Sequence, residues 1–298
     1  MITELTEHIK FIRADGAAYP YGHGLLIDDE IRCMVDTGAG EKVLTQINPE
    51  SIDWVVNTHY HRDHTRLNGL FGRALRMIHR LDVPPLVDET ARDYYTGFFE
   101  WEEVIGHPRG PLRQDARLQS GQFEPMRVDQ TIEEGTVLHF GRTSAVVMHL
   151  PGHTPGHCGL FFKREGIVYA GDIDLTPVGP WYGDYLSNLD DFLASIERLI
   201  ALQPAVYCCG HRKPIRENIT DRLKTYRQVI FDREERILTC LRERPGGLRE
   251  LIGRKLIFPG YENDYLVFWE RTMIKKHLDR LLKHGEIQYA SEERFTAV

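Results

Sequence analysis

The sequence predicts a mixed α/β fold with a smaller, mainly helical C-terminal domain, and three observations predict it. In the first two hundred residues, short β-branched and aromatic runs alternate with turns and helical stretches. Four of those runs, Trp54-Val55-Val56-Asn57, Ala145-Val146-Val147-Met148, Ile167-Val168-Tyr169-Ala170 and Ala205-Val206-Tyr207-Cys208, are apolar and lead straight into His- or Asp-bearing segments. From about Leu223 the pattern turns helical. Polar side chains that emerge at the ends of buried strands can be aimed at one point by a rigid scaffold.

The connecting segments follow from local chemistry. Between Leu81 and Met126, an aromatic and acidic helix-like stretch over 88–106 precedes a turn-rich one over 107–114. It reads as an insertion that walls or covers a site, or as surface helices that pack Phe98, Phe99 and Trp101 inward. In the tail the pattern predicts helices over 223–243, 248–255 and about 264–284, the first broken by Pro245-Gly246-Gly247. In the third, Val267, Ile274, Leu278, Leu281 and Leu282 recur at helical spacing, and Gly285 stops it. The closing 286–298 suits a small β-hairpin. With no repeat and no Gly/Ser linker, the predicted domains are 1–222, containing the 81–126 insertion, and 223–298 packed against it.

Composition narrows the class. Of 298 residues, 42% are hydrophobic and 27% charged, which suits a soluble globular chain and neither disorder nor a membrane span. The N-terminus lacks the apolar stretch of a signal peptide, and the expected location is the cytoplasm. Cys33, Cys158, Cys208, Cys209 and Cys240 are odd in number and unpaired in spacing, as expected of reduced, mostly buried thiols. The net charge of −7 is uneven, with an acidic body and a slightly basic tail, which argues against a nucleic-acid channel in the body.

The chemistry is concentrated in Thr58-His59-Tyr60-His61-Arg62-Asp63-His64. In an extended segment His59 and His61 project the same way and can converge on one ion, while Asp63 and His64, on the following turn, can serve a second. Three further candidates follow the other strands: His153 in Pro151-Gly152-His153-Thr154-Pro155-Gly156-His157, Asp172 in Ala170-Gly171-Asp172, and His211 in Cys209-Gly210-His211. The result is a set of nitrogen and oxygen donors that suits two divalent metal ions, zinc first, with iron and manganese as alternatives.

This pattern, His-x-His-x-Asp-His with separate His, Asp and His motifs, resembles the metallo-β-lactamase superfamily over roughly residues 15–215. The resemblance implies a four-layer αβ/βα sandwich. It implies one metal on His59, His61 and His153, another on Asp63, His64 and His211, and Asp172 bridging. It assigns Asp36 to steadying the ligands by hydrogen bonds, and His157 matches the family motif as a structural hydrogen-bonding residue. The tail is similar to the winged-helix-like domain that follows this fold in some members.

The expected mechanism follows from two cations. They lower the pKa of a shared water from about 15.7 towards ~7, and the hydroxide attacks a substrate carbonyl. Asp172 bridges, Asp63 orients the nucleophile or carries a proton to the leaving group, and Tyr182, on the loop 173–183, is a candidate oxyanion donor. By resemblance, the carboxylate Asp172 points to the thioesterase, lactonase and ribonuclease branches. The 38 residues between Asp172 and His211 leave no room for the insertion of many nucleic-acid-processing relatives. The leading expectation is hydrolysis of a small-molecule thioester, lactone or ester. The alternatives are a single-strand endoribonuclease, a mononuclear-iron persulfide dioxygenase, and a ligand sensor whose winged helix binds nucleic acid through Arg271, Lys275, Lys276, Arg280 and Lys283. The tail is expected to cover one side of the site or to build a homodimer contact.

Overall fold

The computed structural model describes residues 1–16, 19–110 and 123–298. Seven strands, β1 (Ile2–Glu4), β2 (Ile9–Ile12), β3 (Gly24–Ile27), β4 (Cys33–Val35), β5 (Trp54–Val56), β6 (Leu75–His79) and β7 (Gln130–Ile132), lie side by side in chain order. The first four pair antiparallel, and β4 through β7 pair parallel. A second sheet runs β12-β11-β10-β9-β8, made of β8 (Val137–His139), β9 (Ser144–His149), β10 (Cys158–Phe162), β11 (Ile167–Tyr169) and β12 (Val206–Cys208). All four runs singled out in the sequence are therefore strands: β5 in the first sheet, and β9, β11 and β12 in the second.

Alternation along each strand builds the layers, because successive side chains point to opposite faces. Phe11, Leu25, Ile27, Val35 and Val56 of the first sheet meet Val147, Leu160, Phe162, Tyr169 and Cys208 of the second in one buried cluster. The intervening residues face outward: Ile12, Leu26, Met34 and Val55 pack under Val43 and Leu44 of α1 (Glu41–Leu44). On the far side, Met148, Val168 and Tyr207 pack under α6 (Leu189–Leu202) and α7 (Ile219–Glu243). Helix, sheet, sheet, helix is the expected four-layer αβ/βα order. Strands buried on both faces explain the near-continuous apolar runs in the sequence.

The tail follows the predicted order with shifted ends. After α7 come β13 (Gly246–Gly247), α8 (Leu248–Ile252), α9 (Asp264–Lys283), β14 (Ile287–Ser291) and β15 (Arg294–Ala297), and the three strands form a sheet of order β13-β15-β14. The expected boundary at 222/223 falls inside α7. Leu223, Tyr226 and Ile230 share one hydrophobic cluster with Ile196 and Tyr207 of the body and with Met273, Ile274 and Leu281 of α9.

Four of the five basic residues singled out on α9 are engaged within the fold. Arg271 pairs with Glu100 at 2.6 Å, Arg280 with Asp190 and Glu234 at 2.8 Å, and Lys283 with Asp190 at 2.6 Å. Lys276 donates to the Tyr185 and Ser187 carbonyls at 2.8 and 2.7 Å. These charges hold the tail to the body, so α9 acts as a clasp.

Of the insertion predicted over 81–126, residues 111–122, with the end of the turn-rich stretch, lie outside the described residues. The rest forms α3 (Pro84–Val87), α4 (Glu89–Thr96) and α5 (Trp101–Ile105). Trp101 is buried against Tyr265 and Phe268 of α9, Phe98 meets the same two rings, and Phe99 stays exposed beside Tyr94. The inward packing expected of all three aromatics thus holds for Trp101 and Phe98, while Phe99 is left at the surface.

Candidate metal centre

Strand ends position the site. The chain leaves β5 into Asn57-Thr58-His59, and α2 (Arg62–Thr65) begins at once, so His61 stands at its cap and Asp63 and His64 lie in its only full turn. His153 follows β9, Asp172 follows β11 and His211 follows β12. Glycine is required at Gly210, where a Cβ would lie 2.6 Å from an Asp172 oxygen and 2.7 Å from the His64 ring.

Two groups of donors result: His59, His61, His153 and Asp172, and Asp63, His64, His211 and Asp172. In the first, His153 Nε2 lies 3.2 Å from His59 Nε2, 3.0 Å from His61 Nδ1 and 3.5 Å from Asp172 Oδ2. In the second, His64 Nε2 lies 3.0 Å from Asp172 Oδ1, and His211 Nε2 lies 3.4 Å from Asp63 Oδ2 and 3.3 Å from Asp172 Oδ2. Tetrahedral bonds of about 2.0–2.1 Å set ligand atoms ~3.4 Å apart, so both groups have the spacing of a metal shell.

Hydrogen bonds on the far side of each ring decide which nitrogen is bare. His64 Nδ1 donates to Asp36 Oδ2 at 2.7 Å, His153 Nδ1 to the Trp181 carbonyl at 2.9 Å, and His61 Nε2 to Asp184 Oδ2 at 2.7 Å. The Thr58 hydroxyl donates to Asp36 at 2.8 Å and therefore accepts from His59 Nδ1 at 3.0 Å. Four lone pairs, on His59 Nε2, His61 Nδ1, His64 Nε2 and His153 Nε2, thus face inward. His64 Nε2 and Asp172 Oδ1 are buried without a hydrogen-bond partner, a deficit that a cation bound between them would relieve.

Electrostatics agree. Burial pulls His59 and His153 well below the usual imidazole range, which keeps them neutral, the form that ligates. Burial acts the same way on His64 and His211, but there the neighbouring carboxylates together outweigh it, Asp172 with Asp63 and, for His64, Asp36, and lift both well above that range. The second group therefore draws positive charge into a buried place.

The supporting residues divide into those read in the sequence and those missed. Asp36 also accepts from the Thr58 N–H at 2.8 Å and from the Tyr169 hydroxyl at 3.0 Å. His157 donates from Nδ1 to the Leu150 carbonyl and accepts the Asp172 N–H on Nε2, both at 2.9 Å, a structural role as expected. Asp184, which holds His61 and the Tyr60 hydroxyl, was not foreseen. Nor was Asp82, which accepts from the Tyr60 and Gly156 N–H groups and from Thr154; burial pushes its carboxyl up to about 6. No local pattern marks either residue, since their partners lie far away in the chain.

Tyr182 is corrected by its surroundings. It is fully buried, and its hydroxyl accepts from Arg233 at 2.9 Å and pairs with His277 Nε2 at 2.7 Å. It ties the loop to α7 and α9 instead of facing a substrate. Its neighbour Trp181 takes the more exposed position, 5.4 Å from the rings of both His61 and His153.

Residues 24–211 match the model of the metallo-beta-lactamase superfamily. The chain belongs to that superfamily. Among its relatives, the probable metallo-hydrolase YqjP of Bacillus subtilis is 27% identical over 213 residues, 64% of this chain and 66% of that protein. The acyl-coenzyme A thioesterase MBLAC2 of Bos taurus is 28% identical over 188 residues, 62% of this chain and 58% of that protein. The chain thus spans about two thirds or less of the length of these two relatives. The metallo-beta-lactamase family protein TTHA1429 from Thermus thermophilus superposes with a TM-score of 0.74 at 22% identity, covering 99% of this chain and 100% of that one. The shared fold therefore includes the helices and small sheet of the tail.

Proposed function

We propose that this hydrolase of the metallo-beta-lactamase superfamily holds two divalent metal ions, zinc by its donor set, and cleaves an acyl substrate, a thioester first and a lactone or ester next. The observation that carries the reading is Asp172. Its Oδ1 faces His64 at 3.0 Å while its Oδ2 lies 3.5 Å from His153 and 3.3 Å from His211, so one carboxylate serves both donor groups. A complete second group, Asp63, His64 and His211, favours two ions over the single iron of a dioxygenase.

When bound, the ions supply a hydroxide at neutral pH and a Lewis acid for the substrate carbonyl. The chain's own residues do the rest. Asp184 and the Trp181 carbonyl hold the His61 and His153 rings in the ligating orientation, and Asp36 does the same for His64. Asp63, whose carboxylate belongs to one group only, takes the proton of the attacking water and returns it to the departing thiol. Trp181 offers an apolar wall for the acyl group, backed by Trp269 of α9 at 5.6 Å.

The tail's order of helices and strands supports a winged-helix-like domain whose task is to back this wall. The bovine thioesterase lends thioesters their first place. The test is a panel of thioesters, lactones, esters, RNA and β-lactams with metal content measured on the purified protein. We expect about two ions per chain and turnover of a thioester, abolished in Asp172→Ala. One tightly held iron per chain, or no acyl turnover, would sink the proposal.

A further inference from the structure

We infer that the cleft beside His211 receives a small polyanion, the phosphorylated leaving group of the substrate. The inference rests on the thioester reading above and names the class of thiol that departs. The cleft has a volume of about 660 Å³, and its lining includes His211 together with Arg13, Arg212, Lys213, Arg216 and Arg222. That volume lies within the ~300–1,000 Å³ of small-molecule sites.

The charge of the cleft opposes that of the protein. Five cations line it against two acids, Asp15 and Glu217, a net +3 on a chain of net −7. On α9 the arginines are paired with carboxylates inside the fold. Here Arg13, Lys213, Arg216 and Arg222 are exposed, and among the described residues their side chains make no hydrogen bond or ion pair. Several unneutralised cations around one concavity repel each other and focus a positive potential, a cost relieved by a multiply charged anion.

The walls are also fixed in place. Tyr207 and Ile215 exchange two backbone hydrogen bonds of 2.9 Å, which closes the segment carrying His211, Arg212 and Lys213. The His23 N–H donates to the Gly210 carbonyl at 2.6 Å and joins that segment to the one carrying Arg13. Arg212 donates to the Leu175 carbonyl at 2.8 Å. A pocket held this way loses little entropy when an anion enters.

Position gives the cleft its role. His211 is both a candidate metal ligand and part of the cleft wall, so the cleft adjoins the reaction centre at that residue. Trp181 stands against His61 and His153, the other donor group. A thioester lying across both groups places its acyl part on the tryptophan side and its thiol part in the basic cleft. Hydrolysis then adds water's hydroxyl to the acyl carbon, breaks the C–S bond and delivers water's remaining proton to the sulfur. A single-stranded polynucleotide fits less well, because it needs a basic track of ~4–16 nucleotides and the α9 cations are already engaged.

The experiment compares two substrates on the metal-loaded full chain: hexanoyl-coenzyme A, and hexanoyl-N-acetylcysteamine, the same thioester without phosphates. We expect kcat/KM to favour the phosphorylated substrate by at least about thirtyfold, the scale of one or two charge-assisted hydrogen bonds. In Arg216→Glu/Arg222→Glu that ratio falls towards one, whereas Arg164→Glu, on the exposed turn between β10 and β11, leaves it unchanged. Adenosine 3′,5′-bisphosphate, tested by calorimetry, binds the parent protein and loses at least tenfold in affinity in the double variant. Equal kcat/KM for the two thioesters overturns the cleft and keeps the thioester reading. Bisphosphate binding without turnover of either thioester keeps the cleft and defeats that reading. Salt-sensitive RNA cleavage with no bisphosphate binding overturns both.

Discussion

His64 Nε2 and Asp172 Oδ1 face each other at 3.0 Å in the buried centre of the site, yet no hydrogen bond joins them. The ring proton of His64 is committed to Asp36 on the other side. A bare nitrogen opposite a carboxylate oxygen is repulsive unless a cation lies between, so the pair is placed as two ligands of one ion would be.

Gly210 leaves room for that arrangement. Gly210→Ala would put a methyl group 2.6 Å from Asp172 Oδ1 and 2.7 Å from the His64 ring. We expect a folded protein, destabilised by about 1–3 kcal/mol, that retains at most one metal ion. Metal analysis beside a thermal melt checks this, and two ions held with the affinity of the parent would refute it.

Asp184 acts through His61. Asp184→Ala removes the acceptor at 2.7 Å from His61 Nε2 and frees the ring to rotate or change tautomer. Metal affinity in the His59, His61, His153 group should fall by about 10–100-fold, read by competition with a chromogenic chelator. Asp184→Asn, which keeps an acceptor oxygen, should recover part of the loss.

Tyr182→Phe separates stability from catalysis. The hydroxyl is buried between Arg233 and His277, so its loss leaves two buried polar groups short of a partner. We expect a loss of about 1–3 kcal/mol in urea unfolding and turnover within about twofold of the parent. A large fall in kcat with unchanged stability would restore the oxyanion role.

Glu234 sets a pH dependence in the clasp. Burial pushes its carboxyl up, but hydrogen bonds from His277 at 3.3 Å and from Arg280 at 2.8 Å outweigh that and hold it below its ordinary value. A depressed folded pKa contributes stability that is present above the unfolded value, about 4.3, and is lost as pH falls through the folded one. Glu234→Gln should therefore cost about 2–4 kcal/mol at pH 7, and the gap from the parent should hold down to about pH 4 and narrow on further acidification. A gap that stays constant as pH falls from 4 through the acid limb of unfolding would count against the pairing.

Local chemistry determined much of this protein in advance. Apolar runs of strand length, each leading to a His or Asp beside glycine, were enough to locate the strand ends and the candidate ligands, because period-two alternation and tight turns are written residue by residue. The helix–hairpin order of the tail was legible for the same reason. Tertiary structure alone decided what depends on distant pairs: Asp184 reaching His61 across 123 positions, Tyr182 turning into the Arg233–His277 contact, and the α9 arginines pairing with Glu100, Asp190 and Glu234. A charge or hydroxyl on a helix or loop carries no local sign of which way it will face. Its partner is chosen only when the layers close and each buried polar group must find another.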